Sequence, residues 1–151
     1  MGDRILLVDD HEVILEGIRT LVERSGRPWE VCGVGHNGRE GVEMTRALRP
    51  DIVVLDISMP VMNGIDAART ILKEDKDAKV LLFTMHNSAR MEQEAREAGA
   101  RGMVVKSQAA RSLVRAIEAV LGGSTFWGAD DGHATEAPKK ETPGAGNPVS
   151  A

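Results

Sequence analysis

The sequence predicts an α/β protein built on a five-stranded parallel sheet with five helices on its two faces. Two observations indicate this fold. Short continuous apolar runs alternate five times with segments whose apolar residues recur every three or four positions. Continuous apolar runs are typical of strands buried on both faces, and their alternation with amphipathic helices is typical of a doubly wound sheet. The predicted strands lie at 5–8, 31–34, 52–55, 80–83 and 102–105.

The segments between the strands carry the helices, and several helix ends bear a recognisable signal. Ser88 is a predicted N-cap and Gly99 a predicted stop for the fourth helix. Only Met91, Ala95 and Ala98 form the apolar stripe of that helix, so it should bury little surface and be the helix most able to move. The other helical patterns rest on Ile14, Ile18, Leu21 and Val22 before Gly26, on Val42 and Leu48 between Gly38 and Pro50, on Ile65, Ala68, Ile71 and Leu72, and on Leu113, Ile117, Val120 and Leu121 before Gly122.

Length and composition narrow the class of protein. With 151 residues and a net charge of −4, the chain is predicted to form one main domain without the basic surface that nucleic-acid binding usually needs. Its one cysteine, Cys32, cannot form a disulfide within the chain, which is typical of a reducing compartment. No secretory signal or membrane-spanning run is visible, since Asp3 and Arg4 interrupt the start. We therefore expect a cytoplasmic protein that does not contact a membrane.

The composition changes after Trp127. Residues 128–151 are rich in Pro, Gly, Thr and charged residues and hold almost no large apolar side chain. Such a segment cannot bury enough apolar surface to fold, so a disordered low-complexity tail is predicted there. It is also too short for an independent helical DNA-binding domain.

Polar residues of complementary charge follow four of the predicted strands. Asp9 and Asp10 come after the first strand, Asp56 after the third, Thr84 after the fourth and Lys106 after the fifth. The carboxyl ends of parallel strands meet at one edge of the sheet, where the functional crevice of such folds lies. Carboxylates can hold Mg²⁺, which prefers oxygen ligands, while an ammonium and a hydroxyl can hold phosphoryl oxygens. The cluster therefore predicts a Mg²⁺-dependent phosphoryl site, with Asp56 as a metal ligand or a nucleophile.

Other interpretations remain open at this point. Residues 33–38 fit G-x-G-x-x-G between a strand and a helix, and Asp56 follows at a suitable distance for a ribose hydroxyl. A dinucleotide-binding module needs that motif at a topological switch point; otherwise the glycines serve a turn with unusual backbone angles. A flavin-binding protein has little support, because the chain holds only two Trp and two Phe residues. A phosphatase with an Asp nucleophile would need a second Asp where Ser58 stands.

Four segments of the chain resemble a known family. Residues 5–11 (ILLVDDH), 51–64 (DIVVLDISMPVMNG), 82–86 (LFTMH) and 98–106 (AGARGMVVK) are similar to the motifs of receiver domains of two-component response regulators. The resemblance covers about residues 3–122. It is closest to receivers that usually precede a helix-turn-helix DNA-binding domain. It implies a flavodoxin-like fold with strand order 2-1-3-4-5 and a receiver domain at residues 3–122.

The resemblance also implies a metal site and a phosphoacceptor. Asp56 would accept the phosphoryl group. Asp10, Asp56 and the backbone carbonyl of Ser58 would bind Mg²⁺ directly, and Asp9 would act through water. Thr84 would contact the phosphoryl group.

Three further positions complete the implied site. Lys106 would also contact the phosphoryl group. Ser58 and His86 would tune the lifetime of the phosphorylated state. Met103 stands where the family commonly has an aromatic switch residue, and since the chain has no Tyr, its switch would either be quieter or work by packing alone.

The resemblance implies a signalling protein rather than an enzyme with a separate substrate, because its chemistry is limited to Mg²⁺-dependent self-phosphorylation and dephosphorylation. A histidine kinase or a histidine phosphotransfer protein would donate the phosphoryl group. The readout would be phosphorylation-dependent protein binding through the face made by the fourth helix, fifth strand and fifth helix, without DNA binding by this chain. We expect a single-domain response regulator; the alternative is a receiver fragment of a DNA-binding transcription regulator.

Overall fold

A computed structural model describes residues 2–127 of the chain and shows a parallel five-stranded sheet enclosed by helices. The predicted number, type and order of the elements are confirmed. In chain order they are β1 (Asp3–Val8), α1 (Glu12–Arg24), β2 (Trp29–Gly35), α2 (Gly38–Leu48), β3 (Ile52–Asp56), α3 (Gly64–Glu74), β4 (Val80–Thr84), α4 (Ala89–Ala98), β5 (Gly102–Val105), a short 3₁₀ turn (Lys106–Gln108) and α5 (Ala109–Leu121).

The strands lie in the order β2-β1-β3-β4-β5, which is the order that the family resemblance implies. All four pairings are parallel. Since β1, β3, β4 and β5 are consecutive neighbours, the four strand ends that carry the polar cluster lie side by side. The edge position of β2 leaves the G-x-G-x-x-G segment away from this group.

Two apolar cores cover the sheet, one on each face. Alternate strand residues point to opposite faces, so Leu6 and Val8 pack beneath α2, α3 and α4, while Ile5 and Leu7 pack beneath α1 and α5. The strands β3 and β4 are buried along their whole length. This burial on both sides explains why the strands read as continuous apolar runs. No helix within residues 2–127 is long and apolar enough to cross a membrane.

The helix α4 has the predicted ends and the predicted small apolar face. The Ser88 hydroxyl accepts a hydrogen bond from the Met91 N–H, and Gly99 ends the helix with a left-handed φ of 96°. Ala95 is its one fully buried residue, although Met91 and Ala98 pack partly against the core. Low burial makes α4 the helix with the least packing to oppose a displacement.

The glycines of the G-x-G-x-x-G segment serve close packing, and their predicted role in unusual backbone angles is wrong. None of Gly33, Gly35 and Gly38 has a positive φ. A Cβ atom at Gly33 would lie 2.8 Å from the Leu48 side chain, and one at Gly38 would overlap the Met62 carbonyl. Because side chains and backbone of the protein fill this space, the segment does not form a dinucleotide cradle.

The folded part of the chain continues beyond the predicted boundary at residue 122. Phe126 forms a parallel bridge to Gly102 at the free edge of β5. The Met103 N–H there donates a hydrogen bond to the Phe126 carbonyl over 2.9 Å. Phe126 is fully buried in the core beneath α1 and α5, and Trp127 is buried in the opposite core. The Arg96 guanidinium of α4 lies 4.3 Å from the centre of the Trp127 ring. The domain therefore extends at least to Trp127, and the tail predicted at 128–151 lies outside the described residues.

The role of this last segment can be tested at Phe126. We expect Phe126→Ala to lower the free energy of unfolding by about 3–5 kcal/mol, because it empties a fully buried aromatic site. Phe126→Leu, the matched control, should cost less than about 1.5 kcal/mol because it keeps most of the volume. Urea unfolding of both variants measures the difference. Equal and small losses would show that the segment packs without stabilising the domain.

Candidate functional site

The sheet brings the predicted polar residues to one edge. Asp56 and Thr84 are the last residues of β3 and β4, Asp9 directly follows β1, and Lys106 directly follows β5. The strand register aligns them, since Val8 pairs with Leu55, Asp56 with Phe83 and Thr84 with Val105. Four separate segments of the chain therefore meet at one point.

Lys106 is the cation that joins the two buried carboxylates. Its Nζ lies 2.8 Å from Asp9 Oδ2 and 3.2 Å from Asp56 Oδ1. Its side chain is only 5% exposed, and those of Asp9 and Asp56 are 1% and 2% exposed. The 3₁₀ turn that begins at Lys106 starts where β5 ends, so the backbone fixes the base of this side chain at the sheet edge.

The surroundings of Asp56 penalise its ionised form. Burial, followed by the negative charge of Asp9, raises the pKa of Asp56 to about 6, although Lys106 opposes both effects. Asp56 Oδ2 is buried without a hydrogen-bond donor among the described residues, while Asp56 Oδ1 and Asp9 Oδ2 are buried beside the Lys106 ammonium that the two share. Buried carboxylate oxygens without donors favour an additional cation at this place.

The chemistry of the donors fits a divalent cation. Ligand atoms of Asp9, Asp10, His11 and Asp56 all lie within 4.8 Å of one another. Asp10 is partly exposed at the mouth of the site, so one carboxylate faces solvent while the others lie inside. Mg²⁺ is commonly bound through one or two carboxylates while it keeps several waters, and this arrangement suits that ion.

Ser58 lies at the same mouth. It is exposed and lines a cleft of about 690 Å³ together with Asp10, Met91 and Glu94. This position is compatible with the expected contribution of its backbone carbonyl to the metal. The carbonyl ligand and the tuning role of Ser58 stay predictions.

The Thr84 hydroxyl is hydrogen-bonded to the loop after β4 in this structure. It donates a hydrogen bond to the backbone carbonyl of His86 over 2.8 Å, and it lies 3.7 Å from the Met91 sulfur in α4. The contact with a phosphoryl group that the resemblance implies therefore requires the hydroxyl to leave the His86 carbonyl. The His86 side chain itself is exposed on the loop after β4.

Met103 lies where a packing switch would need it. It is 3% exposed, pairs with Leu82 of β4 across the sheet, and belongs to the core cluster that also contains Ala95 of α4. Its part in a switch stays a prediction, as does the lifetime role of His86.

Sequence reasoning missed two residues of this site. His11 belongs to the motif at residues 5–11 without a role assigned to it, yet its Nδ1 lies 3.0 Å from Asp9 Oδ1 and 3.1 Å from Asp10 Oδ1. Met91 was assigned only to the apolar stripe of α4, yet its sulfur touches the Thr84 hydroxyl. The position of His11 directly after the Asp pair could have indicated its place in the site. The contact of Met91 with Thr84 depends on the packing of α4, which the sequence pattern does not give.

Comparisons with known proteins agree with this geometry. Residues 5–118 match the family described as the response regulator receiver domain. The chain is 40% identical over 120 residues to the chemotaxis protein CheY of Thermotoga maritima, which covers 80% of this chain and 98% of CheY. It is 34% identical to the transcriptional regulatory protein MctR of Rhizobium johnstonii over 82% of this chain, but it spans only 58% of MctR.

A solved structure has the same fold. The two-component response regulator of the LuxR family from Aurantimonas sp. SI85-9A1 superposes with a TM-score of 0.81 at 40% identity, covering 87% of this chain and 93% of that one. The match therefore extends over the sheet, the helices and the strand ends described above.

The raised pKa of Asp56 predicts how stability depends on pH. Its folded-state pKa lies above the value of an unfolded chain, so ionising it costs stability as the pH rises from about 4 through about 6. Asp56→Asn removes that cost. Without divalent cations, we expect the variant to match the wild type near pH 4 and to exceed it by about 1–3 kcal/mol near pH 7.

Chemical unfolding of both proteins across this pH range measures the effect. Asp77→Asn, a change at an exposed carboxylate, is the matched control and should leave the pH profile as it is. A gap between Asp56→Asn and wild type that stays constant over the range would contradict the electrostatic account.

Proposed function

We propose that Asp56 accepts a phosphoryl group and that the phosphorylated chain signals by binding another protein, because this chain belongs to the response regulator receiver domain family. Receiver domains of this family are signalling modules. The donor is proposed to be a histidine kinase or a histidine phosphotransfer protein, and the transfer is proposed to depend on Mg²⁺.

One observation carries this proposal. Asp56 presents Oδ2 without a hydrogen-bond donor, while its Oδ1 lies 3.2 Å from the Lys106 ammonium and the partly exposed Asp10 lies in the same cluster. A structural carboxylate at such depth would have its oxygens saturated by donors. An oxygen left open beside a cation and a metal-binding carboxylate is suited to attack phosphorus.

Each residue of the site has its own role in the proposed phosphoryl transfer. An Asp56 oxygen forms the new bond to phosphorus as the bond from phosphorus to the donor nitrogen breaks, and that nitrogen leaves with the bonding electrons. The Lys106 Nζ lies 3.2 Å from Asp56 Oδ1, where it can neutralise the negative charge of the transferred phosphoryl oxygens. Asp10 and Asp56 would hold Mg²⁺, which when bound neutralises phosphoryl charge, and Ser58 would complete its oxygen ligands.

Thr84 provides the connection from the phosphoryl group to the protein surface. Its hydroxyl is proposed to exchange the His86 carbonyl for a phosphoryl oxygen, which breaks its contact with Met91. Because Met91 belongs to the weakly buried α4, that helix is free to shift, and Met103 can fill the space by repacking. The face formed by α4, β5 and α5 is the proposed output surface.

The output is proposed to be protein binding rather than DNA binding by this chain. Residues 2–127 contain the receiver fold and its short final strand segment, and the chain carries a net charge of −4. A receiver module of a DNA-binding transcription regulator is the second candidate. It is favoured by the similarity to MctR, of which the chain spans just over half.

The first test is phosphorylation by a small-molecule donor. Incubation of the wild type with acetyl phosphate and Mg²⁺ should add one phosphate, measured by intact mass, because the site itself supplies the positioning and charge. The gain should vanish in Asp56→Asn and on chelation of the metal. Asp66→Asn, at an exposed carboxylate in the first turn of α3, is the matched control and should still gain the phosphate.

Two results would contradict the proposal. Phosphate on Asp56→Asn would place the acceptor elsewhere in the chain. A wild type that gains no phosphate and also fails to bind beryllofluoride with Mg²⁺ would show that the pocket does not receive a phosphoryl group.

A further inference from the structure

His11 places a nitrogen donor at the edge of the acidic pocket. It is the N-cap residue of α1, but its side chain makes no capping hydrogen bond. Its backbone N–H donates to Asp9 Oδ1 over 2.9 Å, which ties the residue to the first carboxylate of the site. The ring is 59% exposed and so can be reached from solvent.

The distances around the imidazole match those between neighbouring ligands of one metal ion. The Nδ1 atom lies 3.0 Å from Asp9 Oδ1 and 3.1 Å from Asp10 Oδ1. Two adjacent ligands of an octahedral ion with bonds near 2.1 Å are separated by about 3.0 Å. One ligand atom each from His11, Asp9, Asp10 and Asp56 lies within 4.8 Å of the others, so a small movement of these side chains would bring all four within reach of one ion.

A second observation indicates that a ligand belongs in this cluster. Asp56 Oδ2 is buried without a hydrogen-bond donor within the described part of the chain, and Asp9 Oδ2 and Asp56 Oδ1 share a single ammonium, that of Lys106. Lys106 approaches Asp9 through Oδ2, whereas His11 approaches it through Oδ1. The ammonium and the imidazole therefore use different oxygens of Asp9, and a metal held near His11 need not displace Lys106.

Building on the cation site of the function proposed above, we propose that His11 Nδ1 is a metal ligand and makes this pocket a mixed nitrogen and oxygen site for first-row transition ions such as Zn²⁺. Imidazole suits Zn²⁺, Ni²⁺ and Cu²⁺, whereas Mg²⁺ prefers oxygen and retains its waters. His11 then sets the preference of the pocket between Mg²⁺ and Zn²⁺, and Zn²⁺ competes with the ion used for phosphoryl transfer.

The imidazole has a role in both states of the pocket. In the cation-free protein, Nδ1 lies within hydrogen-bond distance of the carboxylates of Asp9 and Asp10, to which an Nδ1–H would donate. With an ion in the pocket, the tautomer that carries its proton on Nε2 would turn the Nδ1 lone pair to the metal.

The test compares the affinities of the two metals. Isothermal titration calorimetry with Mg²⁺ and separately with Zn²⁺ is performed on the full chain, on His11→Gln and on the matched control His36→Gln. His36 is an exposed histidine whose Nε2 lies 3.0 Å from Glu12, outside the acidic cluster. We expect His11→Gln to weaken Zn²⁺ binding by about 10-fold or more, in the range found when groups around a metal are removed. Mg²⁺ binding should change by less than about 3-fold, because Mg²⁺ gains little from imidazole.

A spectroscopic measurement identifies the ligand directly. In a sample with ¹⁵N-labelled histidine, Zn²⁺ should shift the Nδ1 resonance of His11, while Mg²⁺ should leave it near its metal-free position. The shifted resonance should be absent from His11→Gln and retained in His36→Gln, which assigns it to the histidine of the pocket.

Several outcomes would overturn this assignment. An unchanged ratio of Zn²⁺ to Mg²⁺ affinity in His11→Gln would show that the ring is not a ligand. Tighter binding of both metals in that variant would show that the ring acts as a positive charge that repels them. Zn²⁺ binding that survives Asp56→Asn would place the ion elsewhere on the surface. If the wild type bound Zn²⁺ through His11 but bound no Mg²⁺ and accepted no phosphate, the proposed function would fail while the His11 site stood.

Discussion

The Lys106 ammonium, shared between Asp9 and Asp56, is the interaction on which the site depends. Ionising both carboxylates at the ends of adjacent buried strands costs free energy, and one lysine compensates their charge only in part. The remaining imbalance appears as the raised pKa of Asp56 and as an Asp56 oxygen without a donor. The site therefore favours additional positive charge, which a divalent cation would supply.

The sheet makes this arrangement possible because it fixes where each chain segment ends. The order β2-β1-β3-β4-β5 sets Asp9 beside Asp56, Asp56 beside Thr84 and Thr84 beside Lys106, and the two cores leave the strands no freedom to slide.

The helices differ in how much of their surface is buried against the sheet. The weakly buried α4 touches the site through Met91 and touches the final strand segment through the stacking of Arg96 on Trp127. Rigid strands and one lightly packed helix are the arrangement that the proposed switch requires.

Most of the fold could be predicted from the sequence, because buried parallel strands and amphipathic helices have different apolar periods and clear end signals such as Ser88 and Gly99. The convergence of Asp9, Asp56, Thr84 and Lys106 followed from the same logic of strand ends. The remaining features depend on tertiary packing, which a local pattern does not encode. The burial of Phe126 and Trp127 beyond residue 122, the close approach at Gly38 and the hydrogen bond from Thr84 to the His86 carbonyl all arise between segments distant in sequence or within an irregular loop.

The most direct test of the electrostatic account is the pKa of Asp56 itself. It can be followed by ¹³C NMR of the labelled side-chain carboxyl during a pH titration, first without divalent cations and then with Mg²⁺. The account predicts a pKa of about 6 in the cation-free protein and a clear fall when Mg²⁺ is added. A cation-free value near the ordinary aspartate pKa of about 4, or a value that Mg²⁺ leaves unchanged, would contradict it.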